Sequence, residues 1–498
     1  MTFDFPILSV LIFLPLVGAL LLFAFWRSAA AARALALCVS LLELALSAWV
    51  GLAASPAPLT GAPAGFFLFE DAAWIERFGI RYTVGMDGIS LVMVLLTSFI
   101  TVIAVLVSWS GIKERVPLFF ALILGMEAGI QGVFLGLDLF LFYLFWEVML
   151  IPMFFLIGIW GHGRRIYSAV KFFLYTFLGS LLMLVALISL YLMHGAQTGS
   201  YSFSLFELTR TSVPIGIALW LYAAFLFAFA IKFPLFPLHT WLPDAHTDAP
   251  TAGSVILASL LLKTGAYALI RFGYPLFPEA ARAFTPVLYV AAVFGISYGA
   301  WIAFAQTDMK RLVAYSSVSH MGFVALGIAA WSPVALSGAL IQMVNHGVTT
   351  GALFAMVGML DERTHSREMA TYGGIWGKVP VLSFFFLLFC MASAGLPGLN
   401  NFVGEFLVLV GTFRVSPAAA SGAFLGVVLT LVYTVRLVQE ILFGKENQPL
   451  SLDDLNLREG GILAVLAAAA IYLGVHPGPV LEVMKAPIAL LTALPPLP

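Results

Sequence analysis

Apolar stretches of about 20 residues, the length a helix needs to cross a bilayer, recur along the whole chain with only short polar interruptions. Read against glycine, proline and charged punctuation, they predict about 14 membrane-spanning helices. These begin near residues 5, 33, 86, 116, 138, 166, 213, 251, 284, 312, 334, 379, 417 and 460. The first run, MTFDFPILSVLIFLPLVGALLLFAFWR, is too long for a signal peptide and lacks a basic leader and a small-residue cleavage site. The longest polar interruptions are roughly 55–85 and 444–460, and the segment SPAPLTGAPAGFFLFEDAAWIERFGIRYT after the second helix is expected to form a short outer hairpin or irregular cover.

Composition agrees with this pattern. The 498 residues are 62% hydrophobic and 10% charged, where a soluble chain carries about 25% charged residues. The chain is read as an all-α polytopic membrane protein, its surroundings a lipid bilayer. A net charge of −1 offers nucleic acid no basic surface. Two cysteines, Cys38 and Cys390, are too few for an iron–sulfur or zinc site, and both are expected to pack in the core. Lysine and arginine are richer in the loops opposite the termini, such as those with Lys113, Arg164 and Lys310. The positive-inside rule then puts both termini on the outer, periplasmic side.

Two spans are too long and are interrupted. In residues 213–245, AIKFPLFPLHTWLPDAH sets Lys232 beside Pro234, Pro237 and Pro243; in residues 380–414, AGLPGLNN precedes Glu405. Such breaks survive at membrane depth only where the freed backbone meets protein or water, and paired broken helices point to an ion pathway. One sequence offset carries Glu147 onto His320, Lys232 onto Glu405 and Lys263 onto Arg436. The offset moves each residue five spans onward, an odd number, so two inverted five-helix repeats are expected, each with a broken helix. The expected division is 1–115 (helices 1–3 and the outer loop), 116–275 (helices 4–8), 276–445 (helices 9–13), and 446–498 (inner loop and helix 14).

Charged groups inside the apolar runs are the candidate chemistry. An acid at mid-membrane costs about 2.5–3.5 kcal/mol on insertion scales, so Glu147 needs a partner or water. Lys232 is the expected partner, either as a fixed packing pair or as a gate. At about 4 Å and an effective dielectric of 20 the attraction is about 4 kcal/mol, close to the ~3.5 kcal/mol for moving one charge across about 150 mV. Lys263, too deep to snorkel, reads as a proton carrier. His320, among Ser316, Ser317 and Ser319, suits a relay. His346 reads equally as a relay or a packing residue. Glu405 is the candidate terminal acceptor, and Lys171, Glu127 and Arg436 are weaker candidates. His239 and His246, seven apart across a proline, lack the spacing of a zinc helix; Asp244 and Asp248 read as caps or turn formers.

The blocks FYLFWEVMLIPMFFLIGIWG, KFPLFPLHTWLPDAHTDAPTAGSVILASLLLKTGAYALIRF, QTDMKRLVAYSSVSHMGFVALGI and ASAGLPGLNNFVGEF resemble the antiporter-like subunits of proton-pumping NADH:quinone oxidoreductase, respiratory complex I. The resemblance covers roughly residues 85–445. Within the family it favours the M-type chains, counterparts of mitochondrial subunit 4: no lateral helix follows the fourteenth span, and the second broken helix carries an acid. It implies a gating pair at Glu147 and Lys232, a central lysine at Lys263, connecting histidines at His320 and His346, and a terminal acid at Glu405. It implies no cofactor in this chain, since flavin, iron–sulfur clusters and quinone belong to other subunits. The implied partners are other membrane-arm subunits, especially the L- and N-type sister chains and the lateral helix of chain L, in a bacterial inner membrane. The nearest rival is a subunit of a multisubunit sodium/proton antiporter. More distant are a haem protein ligated by His320 and His346, and a structural scaffold.

Overall fold

A computed structural model describes residues 5–53, 63–446 and 450–493. Among them, thirteen helices are long and apolar enough to cross a membrane. They are helix 1 (Ile7–Phe25), helix 2 (Ala29–Ala53), helix 3 (Gly88–Gly111), helix 4 (Val116–Leu135), helix 5 (Leu139–Trp160), helix 6 (Arg165–Thr198) and helix 7 (Ile215–Lys232). Helices 8 to 11 are Thr251–Leu276, Pro278–Phe304, Met309–Ala330 and Pro333–Thr364; helices 13 and 14 are Pro417–Phe443 and Leu457–Val475. Helix 12 is the fourteenth crossing, split into Pro380–Ser393 and Asn400–Phe413. Helix 7 also breaks as expected: residues 233–241 leave the helix, which resumes at Leu242–Asp248.

Side-chain oxygens start several of these helices by accepting from otherwise unpaired backbone N–H groups. Asp87 caps helix 3, Asp138 helix 5 and Asp308 helix 10, while Asn456 and Glu459 form a reciprocal capping box on helix 14. Burial then sorts the bundle. The most apolar stretches of helices 8 and 11 are wholly buried and that of helix 10 nearly so, whereas helices 2, 6, 9, 13 and 14 expose most of theirs. The three innermost helices are the ones that carry Lys263, His320 and His346. Cys390 is buried in helix 12, but Cys38 lies on the exposed face of helix 2. Core packing therefore does not account for Cys38, because helix 2 is an outer helix with only one inward stripe.

The hairpin expected after helix 2 is present: β1 (Leu68–Ile75) pairs antiparallel with β2 (Ile80–Met86). The start of that segment, 54–62, lies outside the described residues. From β1, the Glu70 carboxylate accepts from the backbone N–H groups of Leu8, at 2.6 Å, and Ser9, at 3.1 Å, capping helix 1. Arg81 grips Asp71 with two nitrogens. That guanidinium holds the Asp71 carboxyl below its usual range, so its contribution to stability is present above the ordinary aspartate pKa and is lost as pH falls through the lowered one. Beyond the fourteen expected spans, a helix at Gly478–Thr492 packs on helices 3 and 11. It comes so close that a Cβ on Gly88 would lie 1.8 Å from the Val483 carbonyl oxygen.

Asp138 joins the hairpin to helix 5. One carboxylate oxygen accepts from Phe140 N (3.0 Å) and Leu141 N (3.1 Å), the other from Arg81 N (3.2 Å). Asp138→Ala is expected to cost about 1–2 kcal/mol and to speed hydrogen exchange at Arg81, Phe140 and Leu141. Unchanged exchange at all three amides would refute this account of the joint.

Candidate functional site: a buried line of titratable side chains

Lys263 lies in helix 8 between two π-helical turns, Leu257–Leu261 and Leu269–Gly273. A π turn replaces i to i−4 bonds by i to i−5 bonds and is frequent at functional sites. The Lys263 ammonium donates to Ala258 O, a carbonyl of the first turn, and its Nζ lies 2.6 Å from His346 Nδ1 on helix 11. The His346 ring meets that of His320 edge to face, with centroids 5.8 Å apart. His320 Nδ1 lies 2.8 Å from Glu405 Oε1, and its Nε2 lies 3.1 Å from Ser393 Oγ. Gln342 donates to the same Glu405 oxygen at 3.2 Å. Four of the six site residues expected from the sequence thus form one buried line, and His346, read two ways from the sequence, stands between Lys263 and His320.

The break in helix 12 delivers Glu405 to this line. Asn400, at the start of the second half, donates to Asn345 O at 3.0 Å and receives from Thr349 Oγ1 at 2.9 Å; Asn345 in turn donates to Asn400 O at 2.7 Å. These bonds clamp the broken helix onto helix 11. Gly404 then allows the close approach, since a Cβ there would sit 2.2 Å from the Gln342 side-chain oxygen.

Glu147 and Lys232, expected from the sequence to be partners, lie near one another without a direct hydrogen bond between them. Glu147 lies against the Tyr143 and Ser180 hydroxyls, within electrostatic reach of Lys232. The Lys232 ammonium makes no hydrogen bond among the described residues and lies 5.1 Å from the centre of the Trp146 ring. Lys232 packs directly on helix 8, because a Cβ on Gly265 would come within 3.0 Å of its own Cβ. The pair therefore adjoins Lys263 through one helix contact.

Near Lys263 the structure adds a residue that sequence reasoning set aside. His246 is fully buried, stacks on Phe354 with centroids 4.5 Å apart, and interacts electrostatically with both Lys310 and Lys263. Neither ring nitrogen has a hydrogen-bond partner among the described residues. The useful signal was its buried polarity beside a helix break; the seven-residue spacing, judged as a metal motif, hid it. Lys310 is buried as well and donates to Ala249 O at 2.5 Å. His239 packs among Phe236 and Tyr298 instead. Among the described residues, no three His, Cys, Asp or Glu side chains gather as a metal site.

The weaker candidates lie off the line. Lys171 pairs with Asp244 at 2.6 Å, and Asp248 accepts from Ser168 at 2.6 Å. Arg436 pairs with Glu440, one turn along helix 13, at 2.7 Å. Glu127 on helix 4 faces Glu43 on helix 2 and the Thr101 hydroxyl on helix 3.

Residues 136–430 match the family model described as NADH:quinone oxidoreductase/Mrp antiporter, transmembrane. The chain belongs to that family. NADH-quinone oxidoreductase subunit M of Pseudomonas aeruginosa is 45% identical over 489 residues, 96% of each chain. Its counterpart in Escherichia coli K12 is 44% identical over 449 residues, 89% of this chain and 88% of that one. Among solved structures, a chain of respiratory complex I from Thermus thermophilus with bound NADH superposes with a TM-score of 0.87 at 33% identity, covering 97% of this chain and 99% of that one. A chain of the Mrp complex from Dietzia shares the fold at 21% identity, with a TM-score of 0.85 over 98% of both chains. The matched stretch contains both broken helices and all six expected site residues, so the likeness falls on the part of the molecule that holds the line.

Asn400→Ala would remove the acceptor of the buried Thr349 hydroxyl, at about 1–3 kcal/mol for the unmet group, and the second bond to the Asn345 carbonyl, which keeps its place in the helix 11 ladder. The variant is expected to lower the thermal unfolding midpoint by several degrees and to slow any process that uses the Glu405–His320 contact. A midpoint and activity both equal to the native chain's would show that the clamp is dispensable.

Proposed function

We propose that this chain is a proton-translocating, antiporter-like membrane subunit of NADH:quinone oxidoreductase, driven by quinone reduction in other subunits. The observation that carries the reading is the buried line Lys263, His346, His320, Glu405, with its 2.6 Å and 2.8 Å contacts. Lysine, imidazole and carboxylate in that order can receive, hand on and release a proton, and histidine exchanges one near neutral pH. In this reading a proton reaches Lys263 from the cytoplasmic side past Lys310 and His246, and moves through the two histidines to Glu405.

The Glu147–Lys232 pair serves as the gate. While the carboxylate holds the ammonium, its field at Lys263 is largely cancelled. When the pair opens, a second positive charge one helix away disfavours the charged form of Lys263 and drives its proton toward His346. The chain carries no redox centre of its own in this scheme. Flavin, iron–sulfur clusters and quinone belong to other subunits. Its partners are the neighbouring membrane-arm chains, notably the L- and N-type sister chains and the lateral helix of chain L. It lies in a bacterial inner membrane with both termini outward.

The division 116–275 and 276–445, as two copies of one five-helix unit in opposite orientation, belongs to the same proposal. It is supported by the position of the breaks, which fall in the fourth helix of each set, helices 7 and 12.

In the assembled complex in vesicles, Lys263→Ala is expected to lower the protons moved per NADH oxidised by at least tenfold. Glu482→Ala, at an exposed surface pair with Lys485, should leave that ratio within about 20% of native, as surface pairs contribute little. Normal pumping by Lys263→Ala would end the proton-carrier reading. The rival, a subunit of a sodium/proton antiporter, predicts sodium-driven proton exchange without NADH in vesicles holding this chain and its copurifying partners; the reading proposed here predicts none.

A further inference from the structure

Lys232 and Lys263 are the two innermost lysines, and they are held in opposite ways. Lys263 has a carbonyl and an imidazole at its ammonium. Lys232, 1% exposed, has no hydrogen bond among the described residues, and the group its ammonium faces is the Trp146 indole at 5.1 Å. That ring is itself 1% exposed and is fixed between Phe142 and Phe229, with centroids 5.5 and 5.6 Å away. Trp146 and Glu147 are adjacent in helix 5, so ring and carboxylate approach one ammonium from neighbouring positions. An indole face attracts a cation, most strongly where water is excluded.

We propose that Trp146 is a positioning residue that competes with Glu147 for the Lys232 ammonium and stabilises the open state of the pair. The inference rests on the gating role given to the pair above. The tryptophan supplies a second resting place for the charge. Opening the pair then exchanges one favourable contact for another, and the ammonium is never left bare in an apolar interior. Phe142 and Phe229 keep the ring from following the lysine, which makes the two positions distinct.

The test is made in the complete complex reconstituted in vesicles, with mono-, di- and trifluorinated tryptophan inserted at position 146 alone, and with W146L. Fluorine drains the ring face of negative potential with little change of volume. The protons moved per NADH oxidised should fall stepwise with each fluorine, reaching about threefold or more below native for the trifluorinated ring and for W146L. A ratio independent of fluorine content overturns the proposal, whether or not W146L is impaired, since the ring would then act by packing alone. Lys263→Ala in the same preparation keeps the two questions apart: retained pumping there strikes the proton-carrier reading, while the fluorine series reads the tryptophan–lysine contact itself.

Discussion

A lysine in the middle of a wholly buried helix cannot stay charged unless something in the interior meets its ammonium. Around Lys263 the answer is built from backbone as much as from side chains. The π turn before it contributes the Ala258 carbonyl, and His346 supplies the other contact. The rest of the interior follows from that requirement. Helix 11 must present His346 toward helix 8, which brings His320 of helix 10 against the same imidazole. Helices 8, 10 and 11 therefore occupy the centre, helices 3 and 4 are also largely buried, and helices 2, 6, 9, 13 and 14 form the outer ring.

The two broken helices answer a second constraint, that freed backbone polar groups at membrane depth need partners inside the protein. In helix 7 the Trp241 indole N–H donates to Ile231 O at 2.9 Å, and Leu235 N reaches back to Ala230 O at 2.8 Å. In helix 12 the work falls to Leu396 N, donating to Met391 O at 3.1 Å, and to the reciprocal Asn345–Asn400 bonds. Prolines and an indole serve one break; glycines and asparagines serve the other. The charges also sit differently, Lys232 as the last residue before its break and Glu405 inside the helix after it. The shared sequence offset of the charges is accordingly not the offset of the breaks.

Much of this was legible in the sequence because the bilayer imposes a length on every span and a penalty on every internal charge. The count of crossings, both breaks and the burial of Lys232, Lys263, His320 and Glu405 all follow from those two rules. What the sequence hid depends on which faces meet. From the sequence His246 reads only as a metal-ligand candidate, since nothing local says that it lies near Lys263. Cys38 looked like a core residue because an apolar neighbourhood in sequence is equally a lipid-facing surface in space. The helix at Gly478–Thr492 escaped notice because it is too short to span and carries two prolines. Trp146 gave no signal at all: a tryptophan in an apolar run is ordinary until an ammonium is found over its ring.

The contacts along the line are also unequal, and the inequality bears on how the proposed proton path would avoid becoming a leak. Lys263 to His346 and His320 to Glu405 are direct polar contacts. Between them the two imidazoles meet edge to face, and His346 Nε2 has no hydrogen-bond partner among the described residues. In the proposed scheme a proton on His346 would therefore advance only when a ring turns or a water bridges the nitrogens. Either event is sensitive to the charge on the imidazoles, because a protonated His346 repels a protonated His320 at this separation. A line conducting through unbroken hydrogen bonds would equilibrate in both directions whatever the gate did. In the proposed scheme the interrupted contact at its centre would let the state of Lys263, and through it the Glu147–Lys232 pair, decide when transfer occurs.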